Sequence, residues 1–366
     1  MRGQKRLFIV DFDNTLIDTE GPKSSVLGKF PNRASYLKAY RAAKVPTGFF
    51  NPDLLPAKYR PYFWKIPFKR YLFPGAIENL KKLKKLGRVI IFSFGDKKFQ
   101  EFKIAKSGVK KIVGQKNVIV VQNKSKGVGE LMRSLGKDKY TSVTIIDDVA
   151  SVLEKAYEVY PQVVSVWVRY GKYKNKQPIL RTSVTFETPS FGGAVDFAQR
   201  FVSFVSPSKT HLKFTVLRDI TETQIGDLVK YTGRDKKVSA CTHDDGRFRS
   251  KKAFASWRAR GKVIYTLTGR DGKLLGIVWF ARKKYGKFNN TVAVRLYPPV
   301  RGKGLSFKFM KEAYGDFSLK HKGSLWLSVR SDNVPALKLY KKFGFVKSAE
   351  KGGEWIMTFP KRRGQA

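Results

Sequence analysis

Short apolar runs alternate with helical segments through the first half of the chain, and this alternation constrains the fold more than any other feature. The predicted strands are residues 7–11, 88–92, 118–121, 141–146, 163–168 and 182–188. Helices are predicted around residues 36–43, 76–86, 99–106 and 130–135. Strands that alternate with helices in this way form a parallel sheet with helices on both faces. We therefore predict an α/β domain with a Rossmann-like parallel sheet.

The second half of the chain has fewer helices between its strands. Strands are predicted at residues 214–217, 263–267, 274–280, 292–296, 325–329 and 355–359, with a helix at 334–342. This pattern predicts an α+β domain. A stretch rich in serine and proline interrupts the pattern between the halves, and 366 residues are too many for one ordinary core. We place the first domain at residues 1–204, a linker at 205–212 and the second domain at 213–366.

Polar residues follow successive strands of the predicted parallel sheet. Asp11 and Asp13 come directly after the first strand, and functional groups gather at the carboxyl ends of parallel strands. One carboxylate of such a pair can attack phosphorus while the other transfers protons. A phosphoryl-transfer site also needs a hydroxyl, a cation and acids that hold a metal. Later strand ends supply them in order, as Ser93, then Lys124 or Lys126, then Asp147 with Asp148.

These motifs together resemble those of the haloacid dehalogenase (HAD) superfamily, over about residues 5–200. The matching segments are Asp-Phe-Asp-Asn-Thr, Pro74-Gly75-Ala76 with its helix, Ser93-Phe-Gly-Asp, the lysine and the Asp-Asp pair. The resemblance implies a HAD-like hydrolase domain over residues 1–204. Residues 19–73 lie where such enzymes insert a small helical cap, which screens the site from water and selects the substrate.

The HAD resemblance also implies roles for the individual residues. Asp11 would be the nucleophile and Asp13 the acid and base. Ser93 and Lys124 would hold the phosphoryl group of a small phosphorylated substrate. The implied Mg²⁺ ligands are Asp11, Asp13, Asp147 and Asp148. An aspartate at the position of Asp13 resembles the phosphoryl-transfer branch of the superfamily and not its dehalogenases.

A glycine-rich turn in the second half follows a strand and opens a helix. Its residues are Arg301, Gly302, Lys303, Gly304, Leu305 and Ser306. Glycines at such a turn expose backbone N–H groups, and the helix N-terminus adds positive potential, so the turn can bind a pyrophosphate. Leu296-Tyr-Pro298 precedes the turn, and Asn333, Ala336, Tyr340 and Gly344-Phe345 follow it at regular spacing.

This combination resembles the GNAT acetyltransferases over roughly residues 213–360. The resemblance implies that the turn binds acetyl-CoA, and that the strand separates from its neighbour at Leu296 to Pro298 and leaves backbone groups for the cofactor. It also implies that Asn333 contacts the cofactor and that Tyr340 protonates the departing thiolate. Ser306 stands where the family has glycine or alanine. The acceptor would be an amine, either of a small molecule or of a protein N-terminus. The general base stays open among Asp271, Glu312, Asp332, Glu354 and solvent.

The chain is strongly basic, with 74 lysines and arginines against 28 acids and a net charge of +46. Residues 1–200 carry +22 of this excess and residues 201–366 carry +24, so no single cluster accounts for it. A dedicated nucleic-acid site is usually focal. We therefore expect only non-specific affinity for nucleic acids, at low salt.

No apolar run approaches the roughly 20 residues that span a bilayer, so we expect no membrane contact. The single cysteine, Cys241, excludes an internal disulfide and fits a cytoplasmic location. We predict a bifunctional phosphatase and acetyltransferase. The alternatives are an RNA-binding adaptor built on enzyme scaffolds and an FkbH-like acyl-loading enzyme, for which no loading-cysteine motif is present. A zinc site at Cys241 and His243 is disfavoured because histidines are few.

Overall fold

The computed structural model describes residues 6–46, 48–135, 140–170, 184–206, 213–235, 242, 244–321 and 323–359. The chain forms two compact units, Met1–Gln199 and Arg200–Ala366. This division differs from the predicted boundary after residue 204, because Phe201–Val205 is an edge strand of the second unit's sheet. Residues 207–212 of the predicted linker lie outside the described residues, as do Cys241, His243 and the start of the strand predicted at 182–188.

The first unit contains a six-stranded parallel sheet, which confirms the predicted fold class. Its strands are β1 (Arg6–Val10), β2 (Arg88–Phe94), β3 (Val118–Val121), β4 (Ser142–Asp147), β5 (Val164–Val168) and β6 (Phe186–Thr188). They lie in the order β3-β2-β1-β4-β5-β6. The chain moves outward from β1 to β3 and then returns to β4 on the other side of β1. This reversal opens a crevice at the carboxyl ends of β1 and β4, where such sheets bind ligands.

The first unit contains nine α-helices within the described residues, and they include those predicted from the sequence. They are α1 (Glu20–Leu27), α2 (Arg33–Ala42), α3 (Arg60–Trp64), α4 (Ala76–Leu86), α5 (Lys97–Lys106), α6 (Val109–Val113), α7 (Lys124–Ser134), α8 (Ala150–Val159) and α9 (Phe191–Arg200). Helix α7 begins earlier than the helix predicted at 130–135, because Asn123 caps it by accepting a hydrogen bond from the Lys126 amide. Helices α1 to α3 occupy the segment predicted to be a cap, with stacked aromatic pairs such as Tyr40 with Phe50 between them.

The second unit contains an eight-stranded mixed sheet, which confirms the predicted α+β class. Its strands are β7 (Phe201–Val205), β8 (Phe214–Arg218), β9 (Lys262–Thr268), β10 (Leu274–Tyr285), β11 (Phe288–Leu296), β12 (Leu325–Arg330), β13 (Val346–Lys351) and β14 (Glu354–Phe359). Their order is β13-β14-β12-β11-β10-β9-β8-β7, and β11 with β12 is the parallel pair.

Five helices flank this mixed sheet within the described residues. They are α10 (Glu222–Arg234), α11 (Asp244–Phe248), α12 (Lys251–Arg258), α13 (Leu305–Lys320) and α14 (Val334–Phe343). Apolar residues of α13 and α14 form one buried core with the sheet, and those of α10 to α12 form another. None of the helices in the described parts of either unit is long and apolar enough to cross a membrane.

Candidate active sites

The centre of the first candidate site is an ammonium group between two buried carboxylates. Lys124 Nζ lies 2.7 Å from Asp11 Oδ1 and 2.9 Å from Asp147 Oδ2. Asp11 directly follows β1, Asp147 ends β4 and Lys124 is the first residue of α7, so the three meet at the crevice of the sheet. The other candidate lysine, Lys126, has a side chain that is 75% exposed and lies 4.0 Å from Glu130. Lys124 is therefore the lysine of this site.

Three carboxylates converge beside this lysine. Asp11, Asp147 and Asp148 each offer an oxygen atom within 4.8 Å of the others, and all three side chains are buried. The Val149 amide donates to Asp147 Oδ1 at 2.8 Å. Asp11 Oδ2 and Asp148 Oδ2 are buried without a hydrogen-bond partner within the described part of the chain. Closely spaced carboxylates with unpaired oxygens suit a hard divalent cation such as Mg²⁺.

The electrostatics of the cluster show a deficit of positive charge. Burial raises the pKa of Asp11 to about 7, although Lys124 opposes the shift. Burial, together with the charges of Asp11 and Asp147, raises the pKa of Asp148 to about 9. Burial also raises the pKa of Asp147. One ammonium group does not balance three buried carboxylates, and a bound divalent cation would supply the missing charge.

This imbalance predicts that removing one carboxylate stabilises the metal-free protein. The folded-state pKa of Asp148 is raised, so this carboxyl group costs stability at every pH above its unfolded pKa. Asp148→Asn should raise the metal-free melting temperature, by an equivalent of about 1–3 kcal/mol at neutral pH, and should weaken the stabilisation by added Mg²⁺. Thermal unfolding with a chelator and with Mg²⁺ measures both effects.

An exposed aspartate provides the control for that comparison. Asp53 pairs with Lys98 at the surface, and Asp53→Asn should change the melting temperature little in either condition. A lower metal-free melting temperature for Asp148→Asn would contradict the predicted charge imbalance.

The fourth predicted metal ligand, Asp13, is not part of the carboxylate cluster. Its Oδ1 accepts a hydrogen bond from Lys103 Nζ at 2.6 Å, and its Oδ2 accepts one from Gln100 Nε2 at 2.9 Å. The sequence analysis missed both residues. Their spacing of three on α5, beside the buried Phe99 and Ile104, is the pattern of polar groups on an inward helix face and could have identified them.

A cavity of about 300 Å³ opens over these groups. Its polar wall includes Asp11, Asp13, Asp148, Lys103 and Lys124. Its opposite wall comes from the cap segment and includes Tyr40, Phe49, Phe50, Phe63 and Phe68. The predicted cap residues therefore enclose the predicted catalytic residues in one small cavity.

Ser93 lies within β2, which runs two residues further than predicted. Its side chain is buried, and its hydroxyl has no hydrogen-bond partner among the described residues. The cavity itself is lined by the next two residues, Phe94 and Gly95. Ser93 thus stands on the strand beside β1, with a buried hydroxyl just behind the cavity wall.

The second candidate site is built around the turn between β11 and α13. The Arg301 guanidinium pairs with Asp235, and its Nε donates to the Leu296 carbonyl at 3.2 Å. These bonds tie the turn to the end of β11. The side chain of the predicted cofactor residue Arg301 therefore shapes the turn.

Two glycines give the turn its shape. Gly302 has φ 80° and Gly304 has φ 69°, a left-handed conformation that other residues adopt at a cost. Gly304 caps α13, which begins at Leu305. The N–H groups at the start of a helix lack partners within the helix, so those of Leu305 and Ser306 can bind an anion. Lys303 lies between the two glycines and adds a positive charge.

Strands β11 and β12 pair over a short distance and then separate. β11 pairs with β10 as far as Leu296, but with β12 only at Asn290 and Thr291. Within the described residues, the rest of β11 up to Leu296 therefore lacks a strand partner on the side towards β12, where the Val294 carbonyl accepts from Arg295 and the Leu296 carbonyl from Arg301. The sequence analysis expected this separation near Leu296.

Tyr340 lies on α14, which follows β12, and Asn333 immediately precedes this helix. The Tyr340 side chain is buried. Burial raises the pKa of Tyr340, against the influence of Arg295, so the phenol stays protonated at neutral pH. Asn333 caps α14 by accepting a hydrogen bond from the Ala336 amide at 3.2 Å.

The four candidate bases differ little in setting. Asp271 pairs with Lys273 and Asp332 pairs with Arg330, both at the surface. Glu354 accepts a hydrogen bond from Ser328, and Glu312 lies half-buried on α13. None of these contacts distinguishes one of the four as a base.

In a comparison with known proteins, part of the second unit matches a protein family. Residues 235–345 match the model of the acetyltransferase (GNAT) family. A streptothricin acetyltransferase of Streptomyces lavendulae is 34% identical over 85 residues, which are 22% of this chain and 43% of that protein. The chain therefore spans less than half the length of this curated relative.

Solved structures resemble parts of the chain. A putative haloacid dehalogenase-like hydrolase of Burkholderia xenovorans LB400 covers 54% of this chain and 97% of its own, at 21% identity and a TM-score of 0.45. The GNAT domain of S. lividans PAT covers 43% of this chain and 95% of its own, at 15% identity and a TM-score of 0.35.

Proposed function

We propose that this chain, whose second unit contains a GNAT acetyltransferase domain, joins two enzymes. The first unit is a magnesium-dependent phosphatase, and the second is an acetyl-CoA-dependent N-acetyltransferase. The observation that carries the first assignment is the Lys124 ammonium between Asp11 and Asp147, beside carboxylate oxygens without partners. That arrangement suits a phosphoryl group and a divalent cation together.

The phosphatase reaction proceeds in two displacements. An Asp11 oxygen attacks phosphorus, the bond to the leaving oxygen breaks, and Asp13 donates a proton to that oxygen. The Asp13 carboxylate then takes a proton from water, the resulting hydroxide attacks phosphorus, and phosphate departs with Asp11 restored. Lys124 and the Ser93 hydroxyl stabilise the phosphoryl oxygens. A divalent cation held by Asp11, Asp147 and Asp148 would neutralise the charge that builds up on those oxygens.

The acetyltransferase reaction uses the turn and the open edge of β11. The amides at the start of α13 bind the pyrophosphate of acetyl-CoA, and the edge of β11 that faces away from β10 holds its pantetheine arm. The amine attacks the thioester carbonyl and the carbon–sulfur bond breaks. Tyr340 then donates its proton to the departing thiolate, the acetylated nitrogen loses a proton to solvent, and solvent returns one to the phenol. Burial keeps the Tyr340 phenol protonated at neutral pH, so it carries the proton that this step needs.

The acceptor we propose is a small amine. The curated relative is named for acetylation of streptothricin, and this favours a small molecule over a protein N-terminus. A phosphorylated amine would serve both sites in turn, because the phosphatase would expose a hydroxyl on a molecule whose amine is then acetylated.

Two assays on one preparation of the full chain test the proposal. The protein should release phosphate from an aryl phosphate when Mg²⁺ is present, and a chelator should abolish the release. It should also release free thiol from acetyl-CoA in the presence of a panel of small amines. Absence of phosphate release at any divalent metal concentration would contradict the first assignment, and absence of thiol release across the panel would contradict the second.

A further inference from the structure

One face of α5 is directed at Asp13. Lys103 Nζ lies 2.6 Å from Asp13 Oδ1, and Gln100 Nε2 lies 2.9 Å from Asp13 Oδ2. Both oxygens of this carboxylate are therefore held, each by a different donor. The Asp13 side chain nevertheless remains 26% exposed, and it lines the cavity.

The local sequence fixes the orientation of this face. Asp96 caps α5 by accepting a hydrogen bond from the Phe99 amide at 2.8 Å, which sets where the helix begins. Gly95 leaves room for the Gln100 side chain, because a Cβ atom there would lie 2.8 Å from Gln100 Nε2. Gln100 Nε2 also donates to the Phe94 carbonyl at 2.8 Å. Because Gln100 Nε2 faces two acceptor oxygens, the orientation of the side-chain amide is settled. In the flipped orientation the amide oxygen would face both acceptors and be repelled by them.

Lys103 is buried, which is unusual for a lysine. Its residue is only 8% exposed, and its ammonium lies 5.6 Å from the centre of the Phe12 ring and 5.8 Å from that of Phe99. A buried ammonium is costly unless it is paired, and the described residues pair this one with Asp13. Lys124 holds Asp11 in a comparable way, so each carboxylate of the Asp-Phe-Asp motif has its own buried lysine.

We propose that Lys103 and Gln100 are positioning residues that hold the Asp13 carboxyl group at the leaving-group oxygen, and that they adapt the site to alkyl phosphate monoesters. This rests on the proposed phosphatase function. An alkoxide leaves only if a proton reaches its oxygen as the bond to phosphorus breaks, and Asp13 supplies that proton. A nitrophenolate departs without a proton, so its release does not require the orientation of Asp13.

The contrast between two substrates tests the proposal. In Lys103→Met, kcat/KM for the best-hydrolysed member of a panel of alkyl phosphates should fall about 10- to 100-fold further than kcat/KM for p-nitrophenyl phosphate. This is part of the roughly 100- to 10,000-fold that a general acid contributes, because Asp13 itself is still present. The ratio kcat/KM reports the steps up to cleavage of the bond to phosphorus and excludes the later hydrolysis of the phosphoenzyme. Lys106→Met is the matched control, because Lys106 lies exposed on the same helix, and it should change neither value.

Gln100→Met provides a second variant that removes no charge and keeps the side-chain volume. Its kcat/KM should likewise fall further for the alkyl phosphate than for p-nitrophenyl phosphate. If circular dichroism shows that Lys103→Met is unfolded, Gln100→Met alone tests the positioning role. Equal losses for both substrates in a folded variant would overturn the positioning role, as would a wild-type enzyme that hydrolyses the aryl ester but no alkyl ester. A wild-type protein without activity on either substrate would instead overturn the proposed phosphatase itself.

Discussion

Asp11→Asn is expected to abolish phosphate release from an aryl phosphate while leaving acetyl-CoA binding intact. The substitution removes the attacking oxygen and one carboxylate of the proposed metal site together. We expect kcat to fall by at least about four orders of magnitude, the scale on which removal of a nucleophile acts. Steady-state phosphate release, measured at saturating Mg²⁺, gives the value.

The matched control is again Asp53→Asn, an identical chemical change in a surface ion pair with Lys98. It should retain wild-type kcat, so a loss in both proteins would point to unfolding or to a contaminant. Activity of Asp11→Asn within ten-fold of wild type would remove Asp11 from the nucleophile role.

Gly304→Val is expected to eliminate the rise in melting temperature that acetyl-CoA produces in the wild-type chain. A branched side chain strains the left-handed backbone of Gly304 and covers the amides at the start of α13. At a ligand concentration of about 100 times Kd the wild-type domain should gain about 2.7 kcal/mol, and the variant should gain almost none. Thermal unfolding across an acetyl-CoA titration measures this difference.

Gly286→Val separates loss of binding from backbone strain. Gly286 also has positive φ, at 53°, and no atom lies within 4 Å of the position of an added Cβ. It lies between β10 and β11, away from the turn at residues 301–306. This variant should lower the starting melting temperature but keep the acetyl-CoA shift. An undiminished shift in Gly304→Val would contradict the assignment of the turn to the cofactor.

The sequence was sufficient to predict the parts of the first site that follow strands. Asp11, Asp147 and Lys124 could be predicted because a parallel sheet brings its carboxyl ends together, whatever the details of the loops. The choice between Lys124 and Lys126 needed the structure, since it depends on where the Asn123 cap starts α7. The sequence indicated that β11 separates from its neighbour near Leu296. Where the pairing with β12 ends needed the structure, because strand pairing is not a local property.

Contacts made by helix side chains were much harder to predict. Lys103 and Gln100 meet Asp13 across 87 to 90 positions of sequence, and their spacing on α5 indicates buried polar groups without identifying Asp13 as the partner. Asp13 was assigned to the metal because of its place in the motif, and its bonds to α5 were not foreseen. The acetyltransferase base stays undetermined for a similar reason, since Asp271, Glu312 and Asp332 show no distinguishing contact.

The basic composition supports a separate expectation that does not depend on either site. Because the excess of basic residues is spread over both halves, we expect weak, sequence-independent RNA binding. Its affinity should fall steeply with salt concentration, since release of counterions drives the binding. The adaptor alternative rests on this composition alone. The acyl-loading alternative requires a reactive cysteine, and Cys241 lies outside the described residues.

The central claim is that Asp11 carries the phosphoryl group, and trapping that group tests it most directly. Asp13→Asn should permit the first displacement with p-nitrophenyl phosphate, whose leaving group needs no proton, but should prevent activation of water for the second. Acid quenching followed by peptide mass mapping should therefore find one phosphoryl group on Asp11 of this variant, and none when Asp11→Asn is combined with it. Release of nitrophenol without phosphorylation, or phosphorylation of a residue other than Asp11, would contradict the account.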